Sequence, residues 1–195
     1  PEMLEWLRPS TPSTRAEASH VANAVLDVCW AVMLSAETAV GRHPHEAVRV
    51  MARIARRAER HLKRQRKLRR PAPGLSVSEG VASAAAWIGF DVGAEAIVAL
   101  TRSGATARQI ARFSPTVPVF GYTPDAATGR RMTLYRGVTP RQLSEQRSFE
   151  KALERIARDL KRHRDVRNGD LIVLIGGDPK RAPGGTNRLV VHEIS

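Results

Sequence analysis

The chain reads as an α/β protein in two parts, the second a three-layer α/β/α domain on a mostly parallel sheet. Three observations predict this. Apolar runs such as Ala96–Leu100 and Leu171–Ile175 have the length and composition of strands buried on both faces. Segments with apolar residues three and four apart alternate with those runs, as crossover helices would. Pro71-Ala72-Pro73-Gly74 breaks the pattern behind a basic stretch and marks the domain boundary, giving parts 1–70 and 71–195.

Taken in order, Thr14-x-x-Glu17 has the form of a capping box and opens a helix to about Val28. Val21, Ala24, Val25 and Val28 form its apolar stripe. Ala31–Leu34 is expected to be a short buried strand, with the lone Cys29 beside it as a buried thiol. A second helix starts near Pro44, a residue tolerated in a first turn, and buries Val48, Met51, Ile54, Ala55, Ala58 and Leu62. From Arg56 to Arg70 the sequence is strongly basic, which reads as a solvated helix face and linker.

Beyond the boundary, Ser76-Val77-Ser78-Glu79 is a second capping box, opening an alanine-rich helix to about Phe90. Strand Ala96–Leu100, helix Thr106–Phe113 and strand Val117–Tyr122 follow. A short helix from Asp125 to about Leu134 precedes strand Gly137–Leu143. Phe149, Leu153, Ile156 and Leu160 mark a longer helix, Leu171–Ile175 a buried strand, and Leu189–Ile194 a strand at the sheet edge.

Composition narrows the function. The net charge of +13 could draw nucleic acid, membrane surface or phosphorylated metabolites. Two Tyr and four Phe do not interleave with the basic run as a base-stacking platform would, so specific nucleic-acid recognition is not expected. One cysteine rules out an intramolecular disulfide and argues against a Cys-rich metal site. No apolar run is long enough to cross a membrane, and a reducing, cytoplasmic setting is expected.

Two stretches carry chemistry. Ser35 and Glu37 place a hydroxyl and a carboxylate just after the expected strand, where α/β proteins display reacting groups. The alternative is that Ser35 and Thr38 cap a helix whose positive end favours Glu37. Thr101, Arg102, Ser103, Gly104, Ala105 and Thr106 join a strand to a helix N-terminus with three hydroxyls, one guanidinium and one glycine. That combination suits a phosphate. It is not a Walker A loop, and a well-capped turn is the alternative.

Met3-Leu4-Glu5, Pro12–Glu17, Val21–Asp27, Met33–Ala39 and Pro44–Val48 follow one another with nothing inserted. This succession resembles the end of the catalytic barrel of pyruvate kinase, and Thr101–Thr106 is similar to the phosphate-binding loop of that family's C-terminal domain. Arg112, Pro115, Pro118 and Tyr135–Val138 continue the likeness. Ala36 stands where the family has Gly, and Cys29-Trp30 where it has Ala-Asp.

The resemblance implies the remnant of a (β/α)₈ barrel in 1–70 and a complete C-terminal effector domain in 71–195. It implies a parent enzyme that moves phosphoryl from phosphoenolpyruvate to ADP with Mg²⁺ and K⁺, whose ligands lie outside this chain. Ser35 and Glu37 would support proton transfer to the enol, and the chain alone would not catalyse. A sugar phosphate or nucleotide monophosphate would be the effector, and a homo-oligomer, a homotetramer by family, is expected. Lys180, Arg181, Gly184, Gly185 and Thr186 occupy the place of a second effector loop, without the Trp and Arg that grip a second phosphate in some members. The alternative is a stand-alone phosphometabolite-binding regulatory module.

Overall fold

The computed structural model describes residues 15–65, 73–113, 116–146, 148–177 and 185–195. The chain divides into two compact units, Pro1–Lys67 and Leu68–Ser195.

The first unit holds α1 (Arg15–Leu26), the single turn α2 (Ala36–Ala39) and α3 (Pro44–Gln65). Val21 of α1 meets Ala47, Val50 and Met51 of α3, with Val32, Leu34 and Ile54 packed around them. Thr14 of the expected capping box lies outside the described residues. Three expectations are corrected. Ala31–Leu34 belongs to no strand: Val32 and Leu34 turn inward while Met33 is 71% exposed. The two-residue period is present, but a strand exists only through a ladder, and no other described segment of this unit supplies one. Cys29 is exposed, because the chain there has just left α1. Val48 is exposed at 54%, since the inward stripe of α3 runs through Ala47, Val50, Met51, Ile54 and Ala58.

The second unit opens with α4 (Val77–Asp91), whose capping box is complete. The Ser76 hydroxyl accepts from the Glu79 amide, and the Glu79 carboxylate accepts from the Ser76 amide. Then come β1 (Ala96–Leu100), α5 (Ala105–Phe113), β2 (Val119–Thr123), α6 (Ala126–Met132), β3 (Val138–Gln142), α7 (Phe149–Arg162), β4 (Leu171–Gly176) and β5 (Arg188–Glu193).

The five strands lie in the order β3-β2-β1-β4-β5. All pairs are parallel except β4 with β5, which run antiparallel with Ile172 opposite His192 and Ile175 opposite Leu189. The expected three-layer, mostly parallel domain is therefore present. β3 and β5 are the edges, and each carries a blunting residue type: Pro140 in β3, and the charged Arg188 and Glu193 in β5.

Alternation along the central strands divides the core. Ile97, Ala99, Val173 and Ile175 face α4, α5 and α6, meeting Ala82, Ala85, Ile110 and Met132. Ala96, Val98, Ile172 and Leu174 face α7, meeting Phe149, Ala152, Ile156 and Leu160. With both faces covered, the strands read as unbroken apolar runs. Chain order reverses beside β1, whose C-terminal end leads toward β2 on one side and abuts β4 on the other. In open parallel sheets that reversal opens a crevice beyond the strand ends.

Candidate functional site

That crevice is a cavity of about 500 Å³. Its walls come from the loop after β1, the segment after β3, the N-terminus of α7 and the chain between β4 and β5. Thr101, Arg102, Ser103, Ala105 and Thr106 line it together. Gly104 lies buried behind them with φ +82°, and an added Cβ would meet Met132 and Tyr135 at 3.3 and 3.4 Å. A side chain there would be strained by both conformation and space.

The loop is held from several directions. The Thr101 hydroxyl accepts from the Gly104 amide at 2.9 Å, and the Ser103 hydroxyl accepts from the Ala105 amide at 3.4 Å. Each hydroxyl, having accepted from backbone, keeps its own proton to donate into the cavity. Arg131 of α6 donates to the Ser103 carbonyl at 3.0 Å, and Thr123 to the Arg102 carbonyl at 3.4 Å. Thr106 is engaged differently. Its hydroxyl is buried against that of Thr186 at 2.7 Å, and the Thr186 amide donates to the Ser78 hydroxyl at 3.0 Å. The first turn of α5 adds backbone N–H groups without intrahelical acceptors, so the wall is rich in donors.

Of the expected second loop, Gly185 and Thr186 line the same cavity. Lys180, Arg181 and Gly184 lie outside the described residues. Sequence reasoning missed the opposite wall: Ser144, Glu145 and Gln146 after β3, and Ser148, the N-cap of α7. The signal was available, since these residues follow a strand end just as Thr101 does. Arg102 reaches across to Glu145 at 2.9 Å, both side chains more than 60% exposed. Gln109 also lines the cavity, and its Oε1 is buried without a hydrogen-bond partner.

Under the cavity, Tyr122 donates its phenol proton to Asp159 at 2.8 Å. Arg141 bridges Asp159 at 3.0 Å and Asp165 at 2.6 Å, with its guanidinium 4.9 Å from the centre of the Phe120 ring. Burial pushes the Tyr122 phenol above its usual range, and the Asp159 charge adds to this. Burial pushes Asp159 upward as well, but hydrogen bonds from Tyr122 and Arg141 outweigh it and leave the carboxyl below its usual range.

In the first unit, Ser35 precedes the turn α2 without a side-chain capping bond. Glu37 is buried, and its carboxylate accepts from the Ser35 amide at 2.7 Å. The Thr38 hydroxyl donates to the Ser35 carbonyl. Of the two residues singled out by sequence, Glu37 is thus tied by its side chain to the backbone of Ser35. Among the described residues no three His, Cys, Asp or Glu side chains gather to hold a metal ion. No described helix is long and apolar enough to cross a membrane.

Residues 79–192 match the family described as pyruvate kinase, alpha/beta domain, and residues 1–48 match pyruvate kinase, barrel domain. The chain belongs to the pyruvate kinase family. It is 36% identical to the pyruvate kinase of Agrobacterium vitis over its full length, covering 41% of that protein. It is 35% identical to that of Geobacillus stearothermophilus, again over its full length, covering 33% of that enzyme. With the pyruvate kinase of Dictyostelium discoideum it shares 36% identity over 99% of this chain and 39% of the relative. The chain thus spans a third to two fifths of the length of the relatives it matches.

Proposed function

We propose that this chain is the C-terminal portion of a pyruvate kinase, joining the end of a catalytic barrel (1–70) to an effector domain (71–195). The cavity beside Thr101–Thr106 is its effector site. The observation that carries this reading is the placement of that loop. Two donor hydroxyls, one guanidinium and the start of α5 converge on a 500 Å³ cavity where the sheet order reverses.

The effector is a phosphorylated sugar or a nucleotide monophosphate, its phosphate held by Thr101, Arg102 and Ser103. The intact enzyme moves phosphoryl from phosphoenolpyruvate to ADP, giving pyruvate and ATP in the cytoplasm, and works as a homo-oligomer. That chemistry is mostly positioning and charge neutralisation, with Mg²⁺ and K⁺ supplying much of the positive charge. Among the described residues no three His, Cys, Asp or Glu side chains gather to hold such an ion. Ser35 and Glu37 are supporting groups of the barrel end, with Glu37 fixing the Ser35 backbone. The 195-residue chain by itself performs no phosphoryl transfer.

One observation favours the second reading, a stand-alone phosphometabolite-binding module. The unit Leu68–Ser195 has a sheet covered on both faces by its own helices. Calorimetric titration of the chain with sugar monophosphates, fructose 1,6-bisphosphate and AMP tests the site. Saturable binding that is lost in Thr101→Ala/Ser103→Ala is the expected result, and binding indifferent to both substitutions would remove the loop from the site. Supplying the remaining barrel as a second polypeptide separates the two readings: pyruvate formation on reconstitution supports the enzyme, its absence the module.

A further inference from the structure

A second cavity, of about 390 Å³, lies between α7 and the segment that follows β3. Gln142, Leu143 and Ser144 form one wall, and Arg155, Arg158, Asp159 and Arg162 of α7 form the other. Leu143 and Ser144 also line the cavity beside Thr101–Thr106, so the two cavities share this stretch as a common wall. We propose that the arginine-lined cavity is a second anion site, taking a linear chain of two or three phosphates. It does not rest on the reading given to the loop after β1.

The helix period brings the three arginines together. Positions 155, 158 and 162 are three and four apart, so they share one face of α7 along about 10 Å of its axis. Arg155 donates to the Ser144 hydroxyl at 3.0 Å, and Arg158 donates to the Glu154 carbonyl at 3.3 Å. Both acceptors are neutral, and a guanidinium has five N–H groups, which leaves further donors for a ligand. Ser144, having accepted from Arg155, keeps its own proton to donate as well.

Charge favours an anion with several negative groups. Arg162 pairs with Asp159 at 3.0 Å, and the arginine side chain is 76% exposed. Asp159 is also held from within by Arg141, which bridges to Asp165. With these inner partners counted, four guanidiniums meet two carboxylates. Among the other exposed residues of α7, Lys151 and Lys161 are balanced by Glu150 and Glu154, so the positive excess is concentrated at the cavity. An exposed ion pair is weak because solvent screens it. Arg162 can therefore turn from Asp159 to a ligand at little cost while Arg141 stays in place. One phosphate occupies one guanidinium, two N–H groups to two oxygens. A chain of phosphates offers successive oxygen pairs to arginines spaced along the helix.

The test is calorimetric titration of the 195-residue chain with tripolyphosphate and with inorganic phosphate, at fixed ionic strength and without divalent cations. Tripolyphosphate is expected to bind saturably, about tenfold or more tighter than phosphate. Arg155→Gln/Arg158→Gln should weaken it by about tenfold or more. Arg108→Gln/Arg130→Gln removes the same two charges from exposed positions on α5 and α6, across the sheet from α7. That control should change the affinity by less than about twofold, as should Thr101→Ala/Ser103→Ala. ATP as a further probe tells whether the chain is recognised free or on a nucleoside: binding tighter than tripolyphosphate and lost in the same α7 variant supports a nucleotide.

Equal losses in the two arginine pairs would mean that net charge alone draws the anion, and would overturn the proposal. Binding lost in Thr101→Ala/Ser103→Ala but kept in Arg155→Gln/Arg158→Gln would put the anion in the first cavity; this site would fall and the loop reading would stand. No saturable binding of tripolyphosphate also overturns it. So does a DNA duplex that binds more tightly than tripolyphosphate through the same two arginines, since α7 would then be a nucleic-acid face.

Discussion

Three helices end in the same way on different residues. The amide of Val28 donates to the Val25 carbonyl and that of Cys29 to Ala24, closing α1 with Val28 at φ 68°. Arg164 at φ 61° closes α7, and Gly93 at φ 67° closes α4, with the same two bonds in each case. Only glycine occupies that backbone region without a Cβ penalty, and a β-branched valine is the least suited to it. Val28→Gly should therefore stabilise the first unit by about 1 kcal/mol, and Arg164→Gly the second by a similar amount. Chemical denaturation reads both, and an unchanged midpoint for Val28→Gly would show that valine's burial offsets its strain.

Asp159 gives a pH dependence. Its carboxyl sits below its usual range in the folded protein, so folding favours the charged form. The resulting stability is complete above about pH 4, the ordinary carboxyl value, and is lost as pH falls through the folded value. Asp159→Asn should flatten the acid limb of the stability curve and lower stability at pH 7. Parallel curves for the two proteins would assign the acid sensitivity elsewhere. At this scale the sequence was only partly legible. Thr101–Thr106 stand out in the sequence by type and spacing, whereas the Tyr122–Asp159–Arg141 network joins residues on β2, α7 and β3 that no local pattern connects.

At the scale of elements, the strands were the most readable feature, since burial on both faces leaves no polar alternation to confuse them. β1 has the bounds expected of it, and β5 lies at the expected edge. Ala31–Leu34 shows the limit of this approach. A strand is a relation between two segments, so an apolar run can have the composition and the inward-outward period of a strand and still lack a ladder. The helices could be read from their caps: the boxed Ser76 and Glu79, and Asp125, whose carboxylate accepts from the Ala127 and Thr128 amides.

α7 makes the most demanding test of packing. It is the helix that covers the face formed by Val98, Ile172 and Leu174, and Ile156 is fully buried at its centre. Ile156→Ala should cost about 3 kcal/mol, transfer and cavity terms together. A loss below about 1 kcal/mol would mean that α7 can settle into the space, a degree of collapse that well-packed cores rarely allow.

For the molecule as a whole, the chain falls into the units Pro1–Lys67 and Leu68–Ser195, and the sequence places its own boundary at 70/71, where Pro and Gly follow the basic run. The cavity was legible only on one side. Its other walls come from chain distant in sequence, and only the topology brings them to the same sheet end.

The contact between Thr106 and Thr186 spans 80 positions, and that between Thr186 and Ser78 spans 108. Contacts so far apart close large loops and are formed late, after local helices and neighbouring strands have organised. The cavity is consequently a property of the finished fold and is not offered by the folding transition state. A phosphorylated ligand should then act as a brake on unfolding alone. In stopped-flow measurements with glucose 6-phosphate, the unfolding limb should slow in proportion to occupancy while the refolding rate stays unchanged. A ligand that accelerated refolding would mean that these distant segments meet early, and that the pocket helps to nucleate the domain it serves.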